Sequence, residues 1–419
     1  MPVSPDSSRQ PSGTSPRPLL DQAEHIGNPL RYAQAMMVRL PELREVNGAY
    51  EDLINTLNFL SSYSGTSATF NSYRREVERL LQWAWLVRSM SLTELRRQDM
   101  EDFLAFCQQP PSSWIGDKQT ARFRLHQGER VVNPNWRPFV AQHNKRTHSA
   151  EFNLSQKSLQ AIFSILSTYF NYLQQEDYVE INPVKLIRQR SRYLQKHAYQ
   201  EPIRRISNLQ WDFILETTEQ QADTNPREHE RSLFVMKILF GMYLRISELV
   251  ADERGTPVMG DFQQDRDQHW WLKVIGKGNK VRMVTVSDDM LQALKRYRSY
   301  LGLTPLPTVG EQTPLINKIK GRGAVTSTRQ IRYLVQRCFD AAYERMRSQG
   351  MEDEAQELKV ATVHWLRHTG ISEDVKFRPK EHVKEDAGHA SMATTDRYID
   401  TEMRERHASA RFKKLKPEY

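Results

Sequence analysis

The sequence predicts a mainly helical protein of two domains that carries one small antiparallel β-hairpin. Three observations lead there. The chain has 419 residues, more than one ordinary hydrophobic core accommodates. Apolar residues recur at helical spacing through most of it. One stretch, 270–286, instead reads as two short strands around a glycine-rich turn.

Composition narrows the class further. Apolar residues make up 38% of the chain and charged residues 26%, the balance of a soluble globular protein. Lys and Arg exceed Asp and Glu by 60 to 51, a net charge of +9 that favours a polyanionic partner without excluding a merely basic surface. Cys107 and Cys338 show no metal-ligand spacing, which argues against disulfides and structural zinc. The longest apolar run, 233–244, is broken by Lys237 and is too short to span a bilayer. With no signal-peptide pattern at its start, the chain is expected to be cytoplasmic.

Residues 1–18 are rich in Pro and Ser and predict disorder, with a flexible amino terminus extending over 1–40. A helical domain is expected over 45–190. Its first helix covers 72–87, where Tyr73, Val77, Leu80, Leu81 and Trp85 share a face. A short helix within 91–107 takes Asp99 as its N-cap. A third begins near 158, with Leu159, Ile162, Phe163, Leu166, Tyr169 and Phe170 on one face, and runs to just before Asn182-Pro183. The segment 109–150 has prolines, glycines and isolated tryptophans without periodicity and reads as a long loop or insertion. A basic linker over 191–206 leads into the second domain, 207–419. There, helices at 208–219 and 230–244 precede the hairpin strands 270–275 and 281–286, whose turn uses Gly278-Asn279 for positive φ. A long helix follows over 327–349.

Four segments of the second domain hold polar groups that packing alone does not require. In "LRISEL", Arg245 and Glu248 could be a simple i,i+3 ion pair. "GKGNK" could be only a turn, and it lacks the Ser or Thr after Lys of a Walker A loop. "HWLRH" spaces His364 and His368 like zinc ligands, but no third ligand is evident. In "GHASMATTDRY", Tyr398 follows His389 by nine residues in a polar stretch unlike the setting of a core tyrosine.

Together they supply one chemistry, attack by a tyrosine on a phosphodiester. A phenol with a pKa of about 10 needs help to become a nucleophile. Two arginines can clamp the charged transition state, each such donor being worth roughly 3–4 kcal/mol. A lysine can protonate the leaving oxygen, and histidines can take the phenolic proton or donate to the phosphate. Arg245, Lys277, His364, Arg367, His389 and Tyr398 fill every role without a metal or cofactor.

In order and spacing, these segments resemble the boxes of the tyrosine recombinase (phage integrase) family, most closely its Xer and integron-integrase type. "LRISEL" resembles the first arginine box, "VIGKGNKVRMVTV" the hairpin with its lysine, "HWLRHT" the HxxRH box and "GHASMATTDRYID" the nucleophile box. The likeness extends over about 50–410, leaving out the insertion at 109–150. It implies a two-domain DNA clamp, a helical core-binding (SAM-like) domain joined to an α+β catalytic domain. It also implies double-stranded DNA recombination sites as substrate, a nucleoid-associated homotetramer exchanging strands through a Holliday junction, and accessory DNA-bending proteins as further partners.

Carried over, Tyr398 is the nucleophile that forms a 3′-phosphotyrosyl bond. Arg245 and Arg367 hold the phosphate, and Lys277 protonates the 5′ oxygen. His364 is the general base, His389 bonds the phosphate, Glu248 orients Arg245, and His368 packs. Tyr73, Arg74 and Lys280 are candidate DNA contacts, and the tail 399–419 docks on a neighbouring protomer. The chain departs from the family pattern at the insertion and at the unusually charged segment between Arg367 and His389. A type IB topoisomerase-like relaxing enzyme uses a similar constellation, and a DNA-binding protein that had lost catalysis would lack one of these residues.

Overall fold

The structure, a computed structural model, describes residues 16–41, 45–143, 150–187, 204–318, 320–396, 398 and 411, without the side chains of 142, 143, 150, 151 and 277. The chain divides into two compact units, residues 1–198 and 199–419. As expected it is mainly helical, and no described helix is long and apolar enough to cross a membrane.

The first unit begins with α1 (Ala23–Ile26) and α2 (Pro29–Arg39), followed by α3 (Ala49–Ser61) and α4 (Ser67–Trp83). The expected flexible stretch therefore needs correction over 16–40. Leu19 and Leu20 are buried, and their amides donate to Glu78 Oε1 of α4 at 2.7 and 3.0 Å. Residues 1–15 lie outside the described residues. In α5 (Arg97–Gln108), Asp99 is not the N-cap; its carboxylate reaches back to the Arg96 amide at 2.9 Å from the third helical position.

The segment read as a loop also needs correction. It holds β1 (Ile115–Gly116) parallel to β4 (Phe139–Val140), and a hairpin of β2 (Phe123–His126) with β3 (Glu129–Val132). A further pair joins β5 (Gln142–His143) to β6 (Ala150–Glu151). Strands of two to four residues are too short to display alternation, which is why the sequence did not reveal them. Trp114, Phe123, Trp136 and Phe139 are buried there. Arg79 of α4 donates twice to Pro138 O, and Arg122 pairs with the buried Glu78 at 3.0 Å.

The unit closes with α6 (Gln156–Gln175), which stops short of the expected end because Asp177 turns the chain with φ of 53°. Asn182 then folds back, donating to Ser167 O and Asn171 Oδ1 at 2.9 Å. Leu53, Leu57 and Leu60 of α3 pack with Val77, Leu80 and Leu81 of α4 and Leu166, Tyr169 and Phe170 of α6. Of the expected linker, 191–206, residues 191–203 lie outside the described residues, and Ile206 at its end is already buried in the second unit.

The second unit opens with α7 (Asn208–Thr224), capped reciprocally by Ser207 and Gln210, and α8 (Pro226–Gly241), which starts on a proline. A sheet of three antiparallel strands follows, ordered β7 (Phe262–Gln264), β8 (Trp270–Ile275) and β9 (Val281–Thr285). The hairpin and its turn are as expected, with Gly278 and Asn279 at φ of 71° and 57°, and β7 is an additional strand. Among the described residues six named helices follow: α9 (Asp288–Tyr300), α10 (Thr328–Ser348), α11 (Glu352–Leu358), α12 (Val363–Asp374), α13 (Lys380–Ala387) and α14 (Met392–Asp396). Apart from Arg411, the expected docking tail lies outside the described residues.

Candidate active site

The site is organised around the carboxy-terminal end of α13. The last carbonyls of a helix have no partner within it and carry partial negative charge. Gly388, at φ of 62°, ends α13 in a left-handed turn. Within that turn Gly388 N donates to Glu385 O at 3.0 Å and His389 N to Lys384 O at 3.1 Å. The next three carbonyls are taken by three arginines from three different elements. Arg282 Nε of β9 donates to Asp386 O at 2.9 Å, Arg367 Nη2 of α12 to Ala387 O at 2.6 Å, and Arg245 Nη2 to Gly388 O at 3.2 Å. A side chain at residue 388 would be strained by the positive φ and would stand 3.0 Å from Arg282 Cδ.

Arg245 lies at the end of the turn that leaves α8, beside the short helical turn Ile246–Glu248. The i,i+3 pair with Glu248 exists, at 3.2 Å, but Glu248 does more than pair with Arg245. Its carboxylate is buried and receives both prongs of Arg282, each at 2.8 Å, as well as the Arg245 amide at 2.8 Å. Burial alone raises the Glu248 carboxyl; the Arg282 fork and Arg245 outweigh it and hold the group below its ordinary value.

Arg282 was missed by the sequence reading. The signal was present: on β9 it alternates onto the same face as Val284, which is buried, while Val281 and Met283 are exposed. Arg282→Lys keeps the charge but loses the fork. The second unit should then lose roughly 1.5–3 kcal/mol in urea unfolding. An unchanged midpoint would show that the fork contributes nothing to folding.

Arg367 is buried, with Nη1 on Tyr243 O. Tyr243 is a non-glycine residue at φ of 50°, a strained conformation that accompanies the turn of its carbonyl to this guanidinium. Burial and the neighbouring Arg245 pull Arg367 down to about 10, so it remains charged at neutral pH. The charged segment before His389 is internally paired. Arg378 donates to Asp374 at 3.0 Å and to Asp386 at 2.6 Å, and the Tyr243 hydroxyl bonds Asp374.

His389 follows the glycine turn, with Nδ1 2.9 Å from Thr395 Oγ1. Thr395 is fully buried in α14, and its carbonyl accepts from Tyr398 N at 2.9 Å, so one residue fixes both ends of the segment. Burial, then Arg367 and Arg245, press the imidazole down to about 4 from an ordinary 6.5. This sets a sign. Below pH 6.5 the unfolded chain binds a proton that the folded site refuses, so this group costs stability as pH falls towards 4. In NMR titration the His389 ring, assigned by comparison with His389→Gln, should titrate near 4; a midpoint near 6.5 would remove it from among the guanidiniums.

Tyr398 is buried at 7% exposure among Tyr243, Ile371, Val383 and Ala387. Its hydroxyl lies 2.7 Å from His368 Nδ1, and its ring stacks on His389 at 5.7 Å between centroids. His368, expected to be a packing residue, thus also bonds the phenol. His364, expected as the base, is solvent-exposed yet partly desolvated by its neighbours; that desolvation, with Arg332 and Arg367, lowers its pKa.

Lys277 begins the turn of the hairpin, and its side chain lies outside the described residues; Lys280 is exposed at the end of that turn. The two candidate DNA contacts of the first unit lie on α4. Tyr73 is half-buried, stacked 5.5 Å from Phe59. Arg74 is only 6% exposed and bonded to Asn71 at 2.7 Å.

No family model matches the chain. The tyrosine recombinase XerC of Chlorobaculum parvum is 23% identical over 262 residues, covering 60% of this chain and 71% of the relative. XerC of Thermodesulfovibrio yellowstonii is 27% identical over 251 residues, covering 58% and 70%. Among solved structures, the XerH site-specific recombinase bound to palindromic difH substrate is similar in fold, with a TM-score of 0.54 at 15% identity over 94% of this chain and 99% of that one. Sequence relatives and fold point the same way as the residues gathered at the end of α13: the chain is similar in sequence to tyrosine recombinases and shares the fold of one.

Proposed function

We propose that this protein is a site-specific DNA recombinase that cleaves and rejoins duplex DNA through a 3′-phosphotyrosyl intermediate. One observation carries the reading: Arg245, Arg282 and Arg367 converge on three consecutive carbonyls beside a buried tyrosine, with Glu248 as the carboxylate shared by Arg245 and Arg282. Such a cluster holds surplus positive charge at fixed positions, the arrangement that stabilises charge developing on a phosphoryl group. Arg245 and Arg367 clamp the phosphate, and Arg282 with Glu248 positions Arg245. His389, its Nδ1 occupied by Thr395, offers Nε2 to a phosphate oxygen. Lys277, on the glycine turn, protonates the departing 5′ oxygen. None of these steps calls on a metal or cofactor.

The substrate is double-stranded DNA, and the enzyme works as several copies on it. A homotetramer that resolves a Holliday junction, with DNA-bending proteins as accessories, is the finer form of this proposal. The XerH structure, a complex with its difH substrate, supports DNA as the substrate. A type IB relaxing enzyme and a silent DNA-binding protein are not favoured, since the relatives are recombinases and no position of the expected set is missing. Incubation with a library of DNA flanking the gene, followed by junction sequencing, tests the reading. Reciprocal crossovers at one short site are expected; relaxation of supercoiled DNA without new junctions would favour the topoisomerase instead.

A further inference from the structure

We propose that His368, rather than His364, is the base that takes the proton from Tyr398; this rests on the recombinase reading above. Nδ1 of His368 is 2.7 Å from the phenolic oxygen, within reach for direct proton transfer. The two rings are 5.5 Å apart and tilted by 39°, so contact is made through the nitrogen and not through stacked faces. His389, the other imidazole beside the phenol, lies nearly parallel to it at 14° and has its Nδ1 on Thr395. The His364 ring is one helical turn away, its centroid 6.5 Å from that of His368, and it is exposed.

His368 directly follows Arg367 on α12, so base and phosphate clamp ride on one rigid element. In the forward step the Tyr398 O–H bond breaks and its proton passes to Nδ1, forming an imidazolium. The phenolate oxygen bonds to phosphorus, and the bond from phosphorus to the 5′ oxygen breaks, that oxygen taking its proton from Lys277. The imidazolium then stands beside a phosphoryl group at its most negative, which favours the transfer. Rejoining runs the same path backwards: the 5′ hydroxyl attacks, and His368 returns its proton to the departing phenol.

The test is single-turnover cleavage of a nicked duplex by the full chain, with two variants of His368 and, for comparison, His364→Ala. His368→Ala removes both the hydrogen bond and the base. His368→Asn places an amide oxygen near the position of Nδ1, so it can accept the phenol's hydrogen bond but not its proton. Both should cleave about 10²–10⁴-fold more slowly than the parent. Placing trifluorotyrosine, a more acidic phenol, at position 398 should then recover at least ~10-fold in His368→Asn while changing the parent little. Because rescue is read within one variant, any folding defect cancels. Asparagine cleaving within ~3-fold of the parent, or no rescue by the acidic phenol, would overturn the proposal, as would rescue confined to His364→Ala. Failure of the recombinase reading looks different: the unsubstituted protein itself would form no adduct.

Discussion

Tyr398→Phe should bind DNA as the parent does and form no covalent complex with it. The ring packs among Tyr243, Ile371, Val383 and Ala387, and phenylalanine preserves that volume. What is lost is the hydroxyl and its bond to His368, which costs the fold only about 0.5–1.5 kcal/mol. The chemical effect is total, because no other group can replace a missing nucleophile in the same position. On a nicked duplex the parent should trap an SDS-stable protein–DNA band that the variant lacks entirely. A residual band of the same mobility would place the nucleophile on another residue.

Gly370→Ala should unfold the second unit or nearly so. Gly370 lies on α12, where that helix presses against the end of α8: a methyl group there would stand 2.2 Å from Phe240 O and 3.1 Å from the Tyr243 ring. A backbone carbonyl cannot rotate away as a side chain would, so the helices must separate. Overpacking typically costs about 1–3 kcal/mol, and a clash with main chain belongs at or above the top of that range. The same approach seats Arg367, three residues earlier, against Tyr243 O, so surviving protein should also bind DNA phosphate poorly. Gly241→Ala is the internal control: nothing lies within 4 Å of the added methyl, and its φ is not positive. Urea unfolding should separate the two variants widely; similar midpoints would refute the close approach.

Much of this was legible in the sequence because each legible feature is local. The hairpin could be placed from a turn that demands positive φ at Gly278 and Asn279, flanked by two β-rich runs. The long helices showed their apolar period, and Arg245, Arg367, His389 and Tyr398, chosen as chemical types, do lie together. Three features were hidden for different reasons. The strands within 109–151 are too short for any period, and their anchors, Glu78 and Arg79, lie on a helix distant in sequence. Leu19 and Leu20 are a lone apolar pair beside a Pro/Ser-rich stretch, and what fixes them, burial in the core with bonds to Glu78 and Tyr32, comes from residues elsewhere in the unit.

His368 was hidden by a different ambiguity. Its sequence neighbours are those of a packing residue on a helix, and only the return of the chain at Tyr398 gives its nitrogen a partner. His364 and His368 cannot be ranked by spacing, since both lie on α12 at i and i+4. Similarly, Glu248 could be paired with Arg245 from sequence, but its stronger partner, Arg282, comes from a strand 34 residues further on.

The three arginines grip α13 by its carbonyls, which every residue possesses. An element recognised through its main chain is free to diverge in its side chains. Along residues 380–388 the fold makes demands on few positions: a glycine at 388, the buried Val383 and Ala387, and the carboxylate of Asp386 that meets Arg378 and Thr285. Glu381, His382 and Glu385 are exposed and can drift between lineages while the pocket keeps its shape. That leaves the segment free to carry the charged side chains it has. It also means that comparison of side chains across lineages will underrate the segment that holds the arginines together.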